Sequence, residues 1–371
     1  MKIRDFKLER YFAKYEFHTR HLLSSSDCDG LSLSSLLDMA GDEERRLWND
    51  LKLGYTESQG LPTLRQAIAD QYTSIDPDHV LVLSPGEANF CLMNVLLEKN
   101  DHVVCMSPAY QSLYQVAESI GCKVDFWRPD PATWQFSTET LRSLIQPETK
   151  LLIINFPHNP TGFIPTVKEL NEIAEIASTH RLTIFSDEMY HHLVHDPSMR
   201  IASMSDLYDR AVSLWGMAKS FGLAGLRLGW LVSRNKKVID DVMSYKDYLT
   251  ICNNSMSEVL SLIAIRNSEK LIDSNLQKIR SNIGAFTAFK DRHPDLISFP
   301  KPKAGSTLFA KLNIGEPALA YCERLVQQAG IMLLPSEMFD FGDQHVRIGL
   351  GREKLQEGIN AWDDFIARSR R

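Results

Sequence analysis

The residue with the most unusual surroundings is Lys219, in the run Ser213-Leu-Trp-Gly-Met-Ala-Lys219-Ser-Phe-Gly-Leu-Ala-Gly-Leu-Arg227-Leu-Gly-Trp230. A lysine kept among apolar groups loses part of its preference for the charged form, and the neutral amine can attack a carbonyl. Arg227 offers a fork of donors to an anion such as a phosphate. The glycines let the backbone approach something bulky. Together these describe a Schiff-base lysine beside a phosphate site. Taken alone, the stretch favours a plainer reading, a glycine-rich loop between two buried strands whose lysine snorkels to solvent.

Other residues of matching chemistry follow short apolar runs. Ser84-Pro-Gly86-Glu87-Ala88-Asn89 opens a helical pattern, and a glycine there exposes N–H groups at the positive end of a helix, a place for a phosphate dianion. A glycine after a strand is more often only a turn. Tyr110, in Ser107-Pro-Ala-Tyr110, either stacks on a flat heteroaromatic ring or packs on the neighbouring helix. In Asn155-Phe-Pro-His-Asn159-Pro-Thr-Gly162 the two X-Pro bonds predict a rigid, extended loop, which favours Asn159 as a fixed amide donor; His158 is read as structural.

Asp187, in Ser186-Asp187-Glu188-Met-Tyr190, leaves a very apolar run and needs a cationic partner. Glu188 serves equally well as a cap for the segment that follows, while Tyr190 is placed to reach the same cleft as Asp187. His191, His192 and His195 lack the spacing of a His-Glu-x-x-His zinc helix, so no metal is expected. Arg347, in an apolar strand-like stretch, requires a carboxylate or phosphate, supplied from within the protein or by a substrate.

The elements that must position these residues are legible as a pattern. Apolar runs at 79–83, 102–106, 123–127, 151–155, 182–186 and 211–215 alternate with helical stretches such as 87–99, 111–120 and 167–180. Such alternation predicts an α/β fold with a mostly parallel sheet sandwiched by helices. Ligands in such sheets bind at the carboxyl ends of the strands, where nearly all the candidate residues fall. After Trp230 come a long helical region at 236–290, a Pro/Lys-rich connector at 299–305, strands at 307–312, 330–334 and 345–351, a helix at 317–328 and a last helix from 353. The expected organisation is a large domain over 46–260 and a smaller α+β domain over 261–371, which the segment 1–45 joins.

Composition narrows the class. The 371 residues are 44% hydrophobic and 24% charged, the balance of a soluble globular protein with a sizeable core. A net charge of −6 argues against nucleic acid as a partner. No stretch approaches a membrane span, and the N-terminus has no apolar run of the signal-peptide kind. Six scattered cysteines without a Cys-x-x-Cys pair fit a reducing compartment, so a cytoplasmic location is expected.

Gly86 after its strand, Pro108-Ala-Tyr110, Asn159-Pro-Thr-Gly162, Asp187-Glu-Met-Tyr190, Lys219 with Arg227, and Arg347 stand in an order and spacing that resembles the fold-type I aminotransferases dependent on pyridoxal 5'-phosphate. The resemblance spans residues 55–347. It implies that Lys219 holds the cofactor as an internal aldimine and later shuttles a proton, and that Asp187 pairs with the ring nitrogen. It further implies that Tyr190 and Asn159 bond the ring's phenolate oxygen, that Tyr110 stacks on the ring, and that Gly86, Glu87, Ala88 and Arg227 hold the phosphate. Arg347, helped by Asn159, would clamp the substrate carboxylate. Tyr55 resembles a tyrosine that reaches the phosphate of a second subunit, which implies a homodimer with shared sites acting on an amino acid and a 2-oxo acid.

Three departures stand out. Gly216 and Ala218 occupy positions where that family often has Ser-x-Ser, so a hydroxyl ligand to the phosphate is missing. The loop at 24–30 lacks the usual small-residue pattern near the substrate. No arginine lies between Tyr245 and Ser261, which speaks against a dicarboxylate substrate. The N-terminal Leu8-Glu-Arg-Tyr-Phe12 with its serine run, Asn155-Phe-Pro-His-Asn-Pro160, Leu193-Val-His-Asp196 and Lys246-Asp-Tyr-Leu-Thr250 bear a looser resemblance to the capreomycidine synthases. These implied an alternative, a cofactor-dependent lyase or cyclase working on an amino acid by elimination and addition. Because Asp187-Glu-Met-Tyr190 keeps the ordinary aminotransferase form, transamination ranks first.

Overall fold

The computed structural model describes residues 2–369. Near the N-terminus lie the helix α1 (Lys7–Tyr15) and a two-residue strand, β1 (His21–Leu22). Seven strands then build one sheet: β2 (Val80–Leu83), β3 (His102–Met106), β4 (Lys123–Trp127), β5 (Thr149–Asn155), β6 (Thr183–Asp187), β7 (Ala211–Gly216) and β8 (Gly229–Val232). Their order is β2-β8-β7-β6-β5-β3-β4. All pairs are parallel except those of β8, which runs antiparallel to both β2 and β7.

The near-continuous apolar character of these strands has a direct cause. Alternate residues feed two separate cores, Val103, Cys105, Leu151 and Ile153 on one face, Val104, Met106, Leu152 and Ile154 on the other. A strand buried on both faces has no polar side to show. β8 is buried throughout as well, but the sequence pattern leaves it inside a glycine-rich run, close after the short turn Ala224–Leu226. Its entry depends on two facing glycines: a Cβ on Gly216 would lie 2.7 Å from Gly229 Cα, too close for any side chain. That contact explains the missing hydroxyl at position 216, since a serine has no room there.

The helical region at 236–290 resolves into Lys236–Lys246, Ser255–Arg266 and Ser268–Arg292. Asn254 restarts the second by accepting from Ser257 N–H. Five further strands follow: β9 (Ile297–Ser298), β10 (Thr307–Leu312), β11 (Ile331–Met332), β12 (Leu334–Pro335) and β13 (His345–Gly349). Four of them form an antiparallel sheet in the order β12-β13-β10-β9. The run predicted as one strand at 330–334 is divided, because β11 leaves to pair in parallel with β1 while β12 stays on β13. The N-terminal segment is thereby laid against the C-terminal sheet. Its backbone comes so near β13 that a Cβ on Gly349 would sit 1.8 Å from the Ser25 carbonyl oxygen, and only glycine permits this. Among the described residues no helix is long and apolar enough to cross a membrane.

Candidate active site

The carboxyl ends of β6 and β7, the loop after β5 and the first turn of the helix Pro85–Leu96 meet around a cavity of about 390 Å³. Asp187, Tyr190, Asn159 and Lys219 line it, as do Gly86, Tyr110, Arg227 and Arg347. Glu87, Ala88 and Tyr55 do not. The Glu87 amide is bonded to the N-cap Ser84 Oγ (3.4 Å) and its carboxylate accepts from Thr250 Oγ1 (2.7 Å), while the Ala88 N–H is used by the Ser84 carbonyl (2.9 Å). Tyr55 is 89% exposed and outside this cavity. Gly86 lines the cavity, and a Cβ built on it meets nothing within 4 Å, so there is open space beside its backbone.

Asp187 is the last residue of β6 and is buried, yet its carboxylate accepts only the Met189 N–H (3.1 Å) and has no cationic partner among the described residues. Burial pushes its acid up to about 7, against the pull of that N–H. A residue that sequence reasoning passed over fixes its surroundings. Asn155 donates from Nδ2 to the Asp187 carbonyl (2.8 Å) and accepts the Asn159 N–H at Oδ1 (2.8 Å), so one buried amide ties two site residues together. Its place at the end of an apolar strand was the available signal.

The loop carrying Asn159 is not extended as its two X-Pro bonds predict. Both are cis, and the chain folds back with His158 N–H on Phe163 O (2.9 Å) and Gly162 N–H on His158 O (2.8 Å). His158 joins this turn to the segment before Tyr110, with Nδ1 on Thr161 Oγ1 (2.7 Å) and Nε2 on the Pro108 carbonyl (2.9 Å). Burial pushes its pKa down to about 3, so the ring is neutral at ordinary pH. Tyr110 in turn donates from its hydroxyl to Glu9 on α1 (2.8 Å).

Lys219 follows β7, and its Nζ donates to Ser26 Oγ (2.8 Å). Burial lowers its pKa, which is the perturbation its apolar neighbours in sequence suggest. Arg227 stands in the left-handed region (φ 52°), with NH1 donating to the Ala224 carbonyl at 3.0 Å. Arg347, on β13, is buried between the rings of Phe12 and Phe339, 5.9 and 5.6 Å from the guanidinium carbon. It donates from Nε and NH2 to the Ser24 carbonyl (3.1 and 2.8 Å) and from NH1 to Asn159 Oδ1 (3.2 Å). Of its five N–H groups, one on each terminal nitrogen is left over.

The remaining candidates have structural partners. Glu188 accepts from Met204 N–H (2.9 Å) and Ser213 Oγ (2.8 Å), capping the short helix Met204–Leu207. His191 and His192 pack edge-on against Trp215, and His195 bridges the carbonyls of Pro302 and Gly305 (3.1 and 2.8 Å). Conversely, the cavity has a wall absent from the predicted site, formed by Leu8, Glu9, Phe12 and Glu16 of α1 and its cap with Ser25, Ser26 and Asp27. The spacing of positions 8, 9, 12 and 16 on one helical face was the signal for it.

Residues 21–361 match the family described as aminotransferase class I and II. The chain belongs to that family. It is 29% identical to the capreomycidine synthase of Streptomyces vinaceus, with 100% of this chain and 95% of that protein covered. The structure of a PLP-dependent aminotransferase from Streptococcus suis superposes with a TM-score of 0.92 at 28% identity, covering 99% of both chains. That of the PLP-dependent cyclase OrfR gives 0.91 at 25% identity, over 100% of this chain and 99% of that one.

The fold is accordingly that of the fold-type I aminotransferases, and the cofactor such enzymes use is pyridoxal 5'-phosphate. The cavity has the chemistry to fit it. The open turn at Gly86, at the N-terminus of a helix, and the Arg227 guanidinium suit the phosphate dianion; a buried carboxylate without a cation, Asp187, suits a protonated ring nitrogen; the Lys219 amine suits the aldehyde.

Proposed function

We propose that the protein is a transaminase that moves an amino group from an amino acid to a 2-oxo acid. One observation carries the cofactor chemistry this reading rests on: Lys219, Asp187 and Arg347 line a single cavity. Transamination ranks first because the Asp187-Glu-Met-Tyr190 run keeps the ordinary aminotransferase form. Bound pyridoxal 5'-phosphate supplies a carbonyl that takes up the substrate amine and a ring that takes up the electrons left at Cα. Gly86 N–H and Arg227 hold its phosphate. Asp187 would pair with the ring nitrogen and hold a proton there. Asn159 and Tyr190 would serve as donors to the ring's phenolate oxygen, and Tyr110 would be the aromatic that packs on the ring. The two spare N–H groups of Arg347 receive the substrate's α-carboxylate, and Lys219, its charge disfavoured by burial, carries a proton to and from Cα.

In this reading residues 46–260 hold the cofactor, and 1–45 work with 261–371 to close the substrate side. Two copies pair so that Tyr55 of each reaches the other's phosphate. The exposure of Tyr55 together with Leu53 (82%) and Tyr248 (91%) supports such a covered face.

A second reading, a lyase or cyclase, is supported by the full-length likeness to capreomycidine synthase and OrfR. The same residues would serve it, with the electrons from Cα expelling a side-chain substituent. Incubating the holoenzyme with single amino acids and no 2-oxo acid separates the two. Transamination converts the bound cofactor stoichiometrically to pyridoxamine phosphate and stops. Continuous release of ammonia or of a cyclic product would overturn it.

A further inference from the structure

We propose that Ser26 is a positioning residue for Lys219, its hydroxyl being the seat that holds the lysine amine whenever that amine is not joined to the cofactor. This rests on the cofactor-dependent reading above. Lys219 Nζ makes one hydrogen bond among the described residues, to Ser26 Oγ at 2.8 Å, across 193 positions of sequence. Both residues line the cavity, and Ser26 is 8% exposed. Among the described residues the amine has no ion pair, although Glu9, Glu16, Asp27 and Asp187 line the same cavity. Arg352 takes Asp27 instead, donating to both its oxygens at 3.1 Å. A lysine carries its amine on a flexible four-carbon stem, so a single fixed acceptor decides where the amine waits.

The seat is stiff, and its stiffness comes from the backbone. Ser306, wholly buried, donates from Oγ to the Ser26 carbonyl (2.5 Å). On the two preceding residues, Arg347 holds the Ser24 carbonyl and Gly349 lets the Ser25 carbonyl lie against β13. The Ser26 hydroxyl takes no part in any of these contacts. It lies between two residues of the site, accepting from Lys219 and lending a hydrogen bond to the Tyr190 phenol, where it works against the rise in pKa that burial imposes. A serine whose fold contacts run through its carbonyl, and whose side chain is aimed at the reacting amine, is placed for that amine. Stabilising free Lys219 favours the state in which an incoming amine has displaced it. Removing the hydroxyl should therefore tighten the lysine's hold on the cofactor. The loss of a merely structural serine would loosen it.

The test displaces Lys219 with methylamine, a probe without a carboxylate, so that Arg347 takes no part. The C=N bond between the cofactor carbon and Nζ breaks as one to the methylamine nitrogen forms; two protons pass from that nitrogen to Nζ, and nothing is oxidised. Holoenzyme is equilibrated with rising methylamine at one pH, reduced with borohydride and digested, and the pyridoxyl phosphate left on Lys219 is measured. Half-displacement in Ser26→Ala should need about fivefold more methylamine than in wild type, the scale of one hydrogen bond. Ser26→Thr, which keeps the hydroxyl, should stay within about twofold of wild type. Equal or easier displacement in Ser26→Ala overturns the seat, as does a threonine variant that behaves like alanine. A wild type with no pyridoxyl phosphate on Lys219 before methylamine is added overturns the cofactor reading instead.

Discussion

Asp187→Asn is expected to act in opposite directions on the apoprotein and on cofactor retention. Burial holds this acid at about 7 instead of the ordinary 3.8. The unfolded chain therefore releases the proton near pH 4, while the folded apoprotein keeps it until about pH 7. The stability this proton contributes is full below about pH 4, falls as pH climbs through about 7, and is flat above. One unit is worth 1.36 kcal/mol, so the three-unit displacement sets a ceiling of about 4 kcal/mol; water entering the open cavity reduces it towards about 2 kcal/mol. Asparagine does not titrate, and its amide oxygen can still accept the Met189 N–H. Urea unfolding of both apoproteins at pH 4.5 and pH 8 gives the difference directly, and the contributions of Glu188, Glu258 and the buried histidines largely cancel in the subtraction. The variant's relative stability should rise by about 2 to 4 kcal/mol between the two pH values. With cofactor the order inverts, because only the carboxylate can pair with a protonated ring nitrogen, and the variant should retain the cofactor at least about tenfold less tightly. A difference that does not change with pH, or a variant that holds the cofactor as well as wild type, would refute the reasoning.

Arg347→Lys should raise KM for the amino donor about tenfold or more with a smaller effect on kcat, since an ammonium cannot replace the fork shared among Ser24, Asn159 and a carboxylate; unchanged kinetics would remove Arg347 from the substrate site. Gly216→Ser should lower Tm by several degrees through overpacking of about 1 to 3 kcal/mol, because its Cβ meets Gly229 Cα at 2.7 Å. Ala218→Ser, which points its hydroxyl to the cavity wall, should leave Tm unchanged within about a degree. Equal melting of the two serine variants would contradict the packing argument.

The central sheet was legible because burial on both faces makes a strand uniformly apolar, and that is visible residue by residue in β3 and β5. β8 was not, because its entry depends on the close approach of Gly216 and Gly229, a tertiary fact. Asp187, Asn159 and Lys219 could be placed because strand ends in a parallel sheet converge by topology. For Glu9 and Glu16 the sequence showed a shared helical face but not its destination, because α1 is held against the cavity by long-range contacts such as Tyr110 with Glu9 and Tyr15 with Glu323, and the neighbouring β1 by its pairing with β11. The two X-Pro bonds after β5 predict an extended loop only if both are trans, and both are cis.

The central claim is that Lys219 is the residue that binds the cofactor covalently. Purified wild type, reduced with borohydride and digested, should yield one peptide carrying a pyridoxyl phosphate group on Lys219, and Lys219→Ala should lose both that adduct and the visible band of the lysine-bound cofactor. An adduct on another lysine, or an unaltered band in Lys219→Ala, would contradict the account.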